Sequence, residues 1–591
     1  MCGICGELRF DGASPKLNSL LKMMNSLARR GPDDAGHYIQ GAIGLGHRRL
    51  AVIDLSQRAH QPMIDKTLGL SIVFNGTIYN YRELRQQLRH SDYTFQSSSD
   101  TEVILKAYAH WGEACVSHLR GMFAFAIWDE PRQQLFLARD RLGIKPLYFS
   151  QTAHYFRFAS TLPALLATGE VDKTLDSIAL HHHLTLHAVV PAPYTLLKGV
   201  RKLAPATTLT ITPSGQVQSK YYWQLSACRP ETPRTEAEWI EATHAKLQEV
   251  VESHRLAADV PVGILLSGGL DSSLLVGLMA EISDPIHLLT FSIGFEDMPE
   301  EAGNEFHYSD QVVARYQTRH QRYLIPNNQV LERLLEAVAA MSEPMVGQDA
   351  TAFFLLAEEV VKKVKVVQSG QGADELFAGY FWYPLMDAAQ GNNLERFRPF
   401  YFDRSHQEFL ATVTADYHGE DYTSETIATL LAQKDADTFL DQVLRMDITT
   451  LIVDDPVKRV DNMTMAWGLE ARVPFLDHEL VALVASMPPS LRLKQAGKYP
   501  LKAIGRDLLP TEIVDRKKGY FPLPALKYVR GEFLKYMRNT LTSPLCQRRG
   551  LFQRDYVDKL LAAPDSYLTP LQGSKLWHLA LLESWLQIHV D

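Results

Sequence analysis

Apolar residues run along this chain in two rhythms. In the first 212 residues they come in short runs, several alternating with polar neighbours, over 5–10, 42–47, 71–75, 124–128, 135–139, 147–150 and 155–159. That period predicts strands. Stretches 17–30 and 81–89 carry the wider spacing of amphipathic helices instead. Beyond 239 the rhythm changes to apolar runs, at 261–266, 288–293 and 363–368, separated by helical stretches. Such runs suit strands buried on both faces of a parallel sheet. Between the two regimes lies a turn-rich stretch holding Thr212-Pro213-Ser214-Gly215 and Cys228-Arg229-Pro230-Glu231-Thr232-Pro233. It reads as a linker, followed by a helix over 239–254. The expectation is an α+β domain over 2–212, a linker over 213–238 and an α/β domain over 239–591.

Composition sharpens this only in part. A chain of 591 residues exceeds one core, so two or more domains are expected. With 46% hydrophobic and 22% charged residues it has the balance of an ordinary globular protein. A net charge of −8 without a basic block argues against a nucleic-acid partner. No apolar stretch approaches the ~20 residues that span a bilayer, so no membrane partner is expected. Five scattered cysteines and the absence of a signal-peptide pattern predict a reducing, cytoplasmic setting. Self-association into a homo-oligomer is left open.

The chemistry concentrates at two glycine-rich turns. Ser267-Gly268-Gly269-Leu270-Asp271-Ser272-Ser273 follows the run ending at Leu266 and precedes an apolar helical stretch. A strand, a tight turn and a helix N-terminus in that order make an anion site. Serine hydroxyls add donors, and Asp271 supplies a carboxylate suited to Mg²⁺ beside phosphates. The Gly-Lys-Ser/Thr ending of a Walker A loop is missing. Ser369-Gly370-Gln371-Gly372-Ala373-Asp374 repeats the arrangement after 363–368. Two such loops at the carboxyl edge of one sheet suit ATP with Mg²⁺, and Asp271 and Asp374 are the candidate metal pair. His181-His182-His183 reads as helix or loop rather than as a metal site.

At the other end stands Cys2. Removal of Met1 would give its thiol an α-amino group of pKa about 7.7–8.0 as a local base. Cys2-Gly3-Ile4-Cys5 lacks the second pair that a zinc site needs.

The ordered segments Arg29-Arg30-Gly31-Pro32-Asp33, 46–54, Asn75-Gly76-Thr77-Ile78-Tyr79-Asn80, Ser99-Asp100-Thr101-Glu102 and 139–148 make the first domain resemble class II, N-terminal-cysteine glutamine amidotransferases. The resemblance implies a layered αββα N-terminal nucleophile (Ntn) fold. It makes Cys2 the nucleophile and gives the oxyanion to the Asn75 side chain and Gly76 N–H. Arg49 would clamp the glutamine carboxylate, with Leu50, Ala51, Val52, Ile53 and Thr77 lining the site, and Asp100 would take the α-amine. Asparagine synthetases usually carry glutamate at position 77; threonine removes one anionic contact to that amine.

Segments 461–477, Gly497-Lys498-Tyr499-Pro500-Leu501-Lys502 and Arg516-Lys517-Lys518-Gly519-Tyr520-Phe521-Pro522 resemble the synthetase domain of glutamine-hydrolysing asparagine synthetases. This implies an ATP-pyrophosphatase fold, of the adenine nucleotide alpha hydrolase kind. ATP would be held by Leu266, Ser267, Gly268, Gly269, Asp271, Ser272, Ser273, Ile293, Ser369 and Gly370, with Lys498 against the departing pyrophosphate. A carboxylate would be adenylated, and ammonia from glutamine would displace AMP. Gln371 stands where that family has a glutamate, a candidate base, and an amide takes no proton at neutral pH. Together with Thr77, 158–163, 187–193 and Phe381-Trp382-Tyr383-Pro384, it makes the chain resemble the N-acetylglutaminylglutamine amidotransferase branch. The implied acceptor is N-acetylglutaminylglutamine, and the implied pathway partner is the ligase that makes that dipeptide. Aspartate and a surface sugar acid are the alternative acceptors.

Overall fold

A computed structural model describes residues 2–297, 302–516 and 529–591. Lys517, Lys518 and 519–522 of the expected basic segment lie outside the described residues.

The first half is two six-stranded antiparallel sheets packed face to face. One contains β1 (Gly3–Arg9) beside β2 (Ile43–Arg49); the other contains β3 (Leu70–Ile78) beside β4 (Gly121–Asp129). Ile4, Leu8, Leu45, Val73, Ala124, Trp128 and Phe156 fill the space between them, buried as strand alternation requires. Helix Leu17–Ser26 covers one sheet; Tyr81–His90 and α1 (Asp100–Trp111) cover the other. This is the expected αββα layering. Two details differ. The sheet continues past 212, because Val217–Tyr221 pairs with Thr207–Ile211 inside the stretch expected as linker. The remainder of that stretch is fastened to the second half through Ala227 N–H on the Asp435 carbonyl and the Arg229–Asp441 pair. α1 was not foreseen: Asp100 to Tyr108 are all buried, so it shows no polar face to reveal a helical period.

The second half is built on a five-stranded parallel sheet. Its strands are β5 (Val262–Leu265), β6 (Leu289–Phe295), β7 (Arg319–Ile325), β8 (Val366–Gln368) and β9 (Glu470–Arg472), arranged β7-β6-β5-β8-β9. Strand order reverses between β5 and β8, paired at Val262–Val366 and Ile264–Gln368. A parallel sheet opens its crevice at such a reversal, beyond the carboxyl ends of the strands. Both glycine-rich loops leave the sheet there.

The halves meet through buried charges. Arg30 and Lys145 of the first both reach Asp461 of the second, at 2.8 and 3.1 Å. Lys202 reaches Asp454 at 2.7 Å.

Candidate active sites

The start of β1 and the middle of β3 converge on a small polar pocket. The Cys2 backbone N–H donates to Asn75 Oδ1 at 3.0 Å, and the Cys2 thiol lies 3.9 Å from the Leu50 carbonyl. Asn75 is 0% exposed, and its Nδ2 is a buried donor without a partner among the described residues. Gly76 has no room for a side chain: a Cβ would stand 2.1 Å from the Met122 carbonyl oxygen. Burial raises the Cys2 thiol pKa, while the chain's terminal ammonium, the Leu50 contact and Arg49 pull against it.

Arg49 closes one wall, donating to the carbonyls of Ile53, Asp54 and Ser56. The intervening loop is pinned by Asp33, which accepts from Ala51 N–H at 2.7 Å, and by the Val52 carbonyl, which accepts from Asp259 N–H at 2.8 Å. Asp100, in the first turn of α1, accepts from Ile78 N–H at 3.1 Å. Burial lifts its carboxyl to about 6 against that hydrogen bond, with the Glu470 charge adding to the rise. Cys2, Arg49, Asn75, Gly76, Thr77 and Asp100 are therefore gathered at one place. Cys5 belongs to the opposite face, packed with Leu20, Met23 and Leu27, which leaves Cys2 without a thiol partner beside it.

At the parallel sheet the 267–273 loop is held by its own serines. Ser272 Oγ accepts from Ser267 N–H at 3.1 Å, and Ser267 Oγ accepts from Gly269 N–H at 3.3 Å. Gly268 has φ +80°, and a Cβ there would meet Ser309 N at 2.7 Å. The helix that follows, α2 (Leu270–Ile282), begins just after Gly269, which has no side chain to cap its N-terminus. The second loop abuts the first, since a Cβ on Gly370 would lie 3.1 Å from the Asp271 Cβ. Leu266 N–H bonds the Phe291 carbonyl at 2.8 Å, which brings Leu266 beside the end of β6, where Ile293 lies.

Lys498, just before α3 (Tyr499–Leu508), completes this cluster. Its Nζ donates to Asp271 Oδ2 at 2.6 Å and lies 2.7 Å from Asp374 Oδ1. Burial works against the ammonium, but the two carboxylates outweigh it and hold the pKa above the ordinary lysine range. Two hard oxygen donors thus share one cation between phosphate-sized loops. His181, His182 and His183 lie elsewhere, in helix Ser177–Thr185; His181 and His182 both meet the Thr423 hydroxyl at 2.9 Å.

Two residues beside the thiol pocket were missed from sequence. Arg30 Nε donates to the Cys2 carbonyl at 3.2 Å, and Glu470 of β9 accepts from the Thr77 hydroxyl at 3.1 Å. Both lie within segments that carry the family resemblance, 29–33 and 461–477, but neither stretch tells of the thiol pocket, because only the folded chain brings β9 to β3.

Comparisons with known proteins agree with a two-part reading. The glutamine amidotransferase domain family matches residues 1–223 and the asparagine synthase family matches residues 242–587. Glutamine-hydrolysing asparagine synthetase 1 of Bacillus subtilis is 30% identical, over 100% of this chain and 97% of that protein. A putative asparagine synthetase of Mycobacterium tuberculosis is 32% identical over 92% of this chain and 89% of its own length. One of Methanocaldococcus jannaschii is 36% identical over 64% of this chain and 76% of its own. These define an ATP-dependent ligase that hydrolyses glutamine. The chain belongs to the asparagine synthetase family.

Proposed function

We propose that this ligase amidates N-acetylglutaminylglutamine, turning its carboxylate into a carboxamide through an acyl-adenylate. The single observation that carries the choice of acceptor is Gln371, a neutral amide in the loop between β8 and Asp374, where the family has glutamate. An acceptor with a blocked amine and peptide groups of its own needs less from a protein carboxylate than free aspartate does. The aromatic segment Tyr380, Phe381 and Trp382 follows that loop, with Phe381 exposed and the other two rings stacked at 4.2 Å, which suits a larger acceptor.

The roles follow from the two pockets. Cys2, freed of Met1, attacks the glutamine side-chain carbonyl, its amine held by Asn75 Oδ1. The Asn75 Nδ2 and Gly76 N–H receive the oxyanion, a contribution of ~2.7–4 kcal/mol per donor. Ammonia departs, and water hydrolyses the thioester to glutamate. Arg49 and Asp100 hold the α-carboxylate and α-ammonium. In the second pocket the acceptor carboxylate attacks the α-phosphate of ATP and pyrophosphate leaves beside Lys498. Ammonia then displaces AMP. Asp271 and Asp374 are the residues that would hold Mg²⁺, which when bound offsets phosphate charge. A ligase that makes the dipeptide would supply the acceptor.

The test is pyrophosphate release by the full chain with N-acetylglutaminylglutamine, aspartate and a sugar acid in parallel. Release with the dipeptide is expected; release with aspartate alone overturns the acceptor. Cys2→Ala is expected to abolish glutamine hydrolysis while ammonia still drives synthesis.

A further inference from the structure

In the reading proposed above, Asp100 is the carboxylate assigned to the α-ammonium of glutamine, and Thr77, a neutral side chain, stands beside it on β3. The second domain puts a carboxylate at that spot. Glu470 is 0% exposed, and its Oε1 accepts from Thr77 Oγ1 at 3.1 Å and from Arg472 Nε at 2.6 Å. Thr77 lies two residues from Asn75 along β3, so both side chains share one face of the strand. The next residue, Ile78, is the one whose N–H holds Asp100. The Glu470 carboxylate therefore meets β3 at the residue between Gly76 and Ile78, next to the backbone that holds Asp100.

Its position is fixed rather than incidental. The remaining nitrogens of Arg472 donate to the carbonyls of His254 and Ala257, so the guanidinium that orients Glu470 is itself immobile. Burial disfavours the Glu470 charge, but the chain's terminal ammonium first, then Arg472 and Lys145, hold its carboxyl below the usual range, so it is an anion at neutral pH and already answers to an α-ammonium. That charge raises the pKa of both Cys2 and Asp100, which places it within electrostatic reach of the nucleophile and of the first ammonium ligand.

We propose that Glu470 is the second carboxylate of the glutamine α-ammonium site, so that glutamine recognition is completed only across the domain interface. This rests on reading Cys2, Arg49 and Asp100 as the glutamine site. Glu470 is a binding residue here, supplied by the synthetase half to the other half's substrate.

The experiment compares glutamine with 4-carbamoylbutanoate, the same molecule without its α-amine, using the full-length enzyme. Glu470→Gln is expected to raise the glutamine KM about tenfold or more, the worth of a charge-assisted hydrogen bond. Its kcat, and its kcat/KM for the deaminated analogue, should change several-fold less than the glutamine KM, since the altered Cys2 thiol is common to both substrates. Adding Thr77→Glu to Glu470→Gln restores the glutamine KM, because the carboxylate returns on the family's usual residue. Thr77→Val, which removes the orienting hydroxyl and keeps the charge pair with Arg472, lowers the preference for glutamine over the analogue in the same direction. An unchanged glutamine KM in Glu470→Gln, or an equal loss on both substrates, overturns the proposal. A wild type that hydrolyses no glutamine would overturn the underlying site reading instead.

Discussion

Asp100 is kept at a disadvantage in the empty pocket, and glutamine binding should reveal it. The carboxyl is 5% exposed, and burial lifts it from an ordinary 3.8 to about 6. That lift is worth about 3 kcal/mol at roughly 1.4 kcal/mol per pH unit. The folded pKa is raised above the unfolded one, so the folded state binds the proton more tightly. Stability is therefore lowered by the full amount above about pH 6, and the loss is relieved as pH falls towards 3.8. Asp100→Asn carries no charge and retains an acceptor for Ile78 N–H. It should be more stable than wild type at pH 8 by up to about 3 kcal/mol, and the difference should close near pH 4. Function runs the other way. Only the ionised carboxyl pairs with an ammonium, so the wild-type glutamine KM should climb about tenfold per pH unit below 6, with little change in kcat. Asp100→Asn should have a high KM at pH 8 and a flat profile below it. Glutamate release measured from pH 5 to 8, with unfolding midpoints on the same samples, tests both halves. A wild-type KM that is flat over this range, or an acid limb that survives in Asp100→Asn, refutes the reasoning.

Gly76→Ala should lose glutamine hydrolysis by at least about a hundredfold, since the oxyanion N–H must shift when a Cβ meets the Met122 oxygen at 2.1 Å. Its overpacking should cost about 1–3 kcal/mol, seen as an earlier unfolding transition. Lys498→Met leaves Asp271 and Asp374 without their shared ammonium, and pyrophosphate release should fall about 10²–10³-fold while glutamine hydrolysis persists. Arg30→Met removes the 2.8 Å partner of Asp461 and should destabilise by about 3 kcal/mol, the low end for a broken buried pair, because Lys145 remains. Calorimetry on wild type and variant measures it.

Most of the strands were legible because each lies in one continuous stretch, and each candidate centre has one such stretch that points to it. The 267–273 loop announces itself through a run, two glycines and a helix, and Cys2 through its place in the chain. Some of what was hidden has a plain physical cause. β7 and β9 carry charged residues, as an edge strand and a strand wedged between domains must, so neither has the apolar run that marks β5 and β6. α1 is hidden the opposite way, buried on all sides from Asp100 to Tyr108. Tertiary pairings escaped altogether: nothing local in Glu470-Ala471-Arg472 tells of Thr77, or of the ion pairs that join Asp461 to Arg30 and Lys145.

β9 is where the two halves of the reaction touch. It is three residues long, about 10 Å of extended chain. The Glu470 side chain bonds Thr77 in the thiol pocket, while the Arg472 carbonyl accepts from Ser369 N–H at 2.8 Å, at the head of the second glycine-rich loop. The Arg472 guanidinium also grips the end of helix Glu236–Leu256, through His254 and Ala257. An element this short, anchored at both ends, has no slack in which a displacement at one pocket can be absorbed. The buried pairs at Asp461 and Asp454 oppose a sliding of the two halves as rigid bodies, since each would leave a charge unpaired. With the roles proposed for the two pockets, a ligand in one has a direct route to the other through β9. Linkage then requires the coupling to be mutual: whatever factor a ligand at Ser369 imposes on glutamine affinity, glutamine imposes on that ligand.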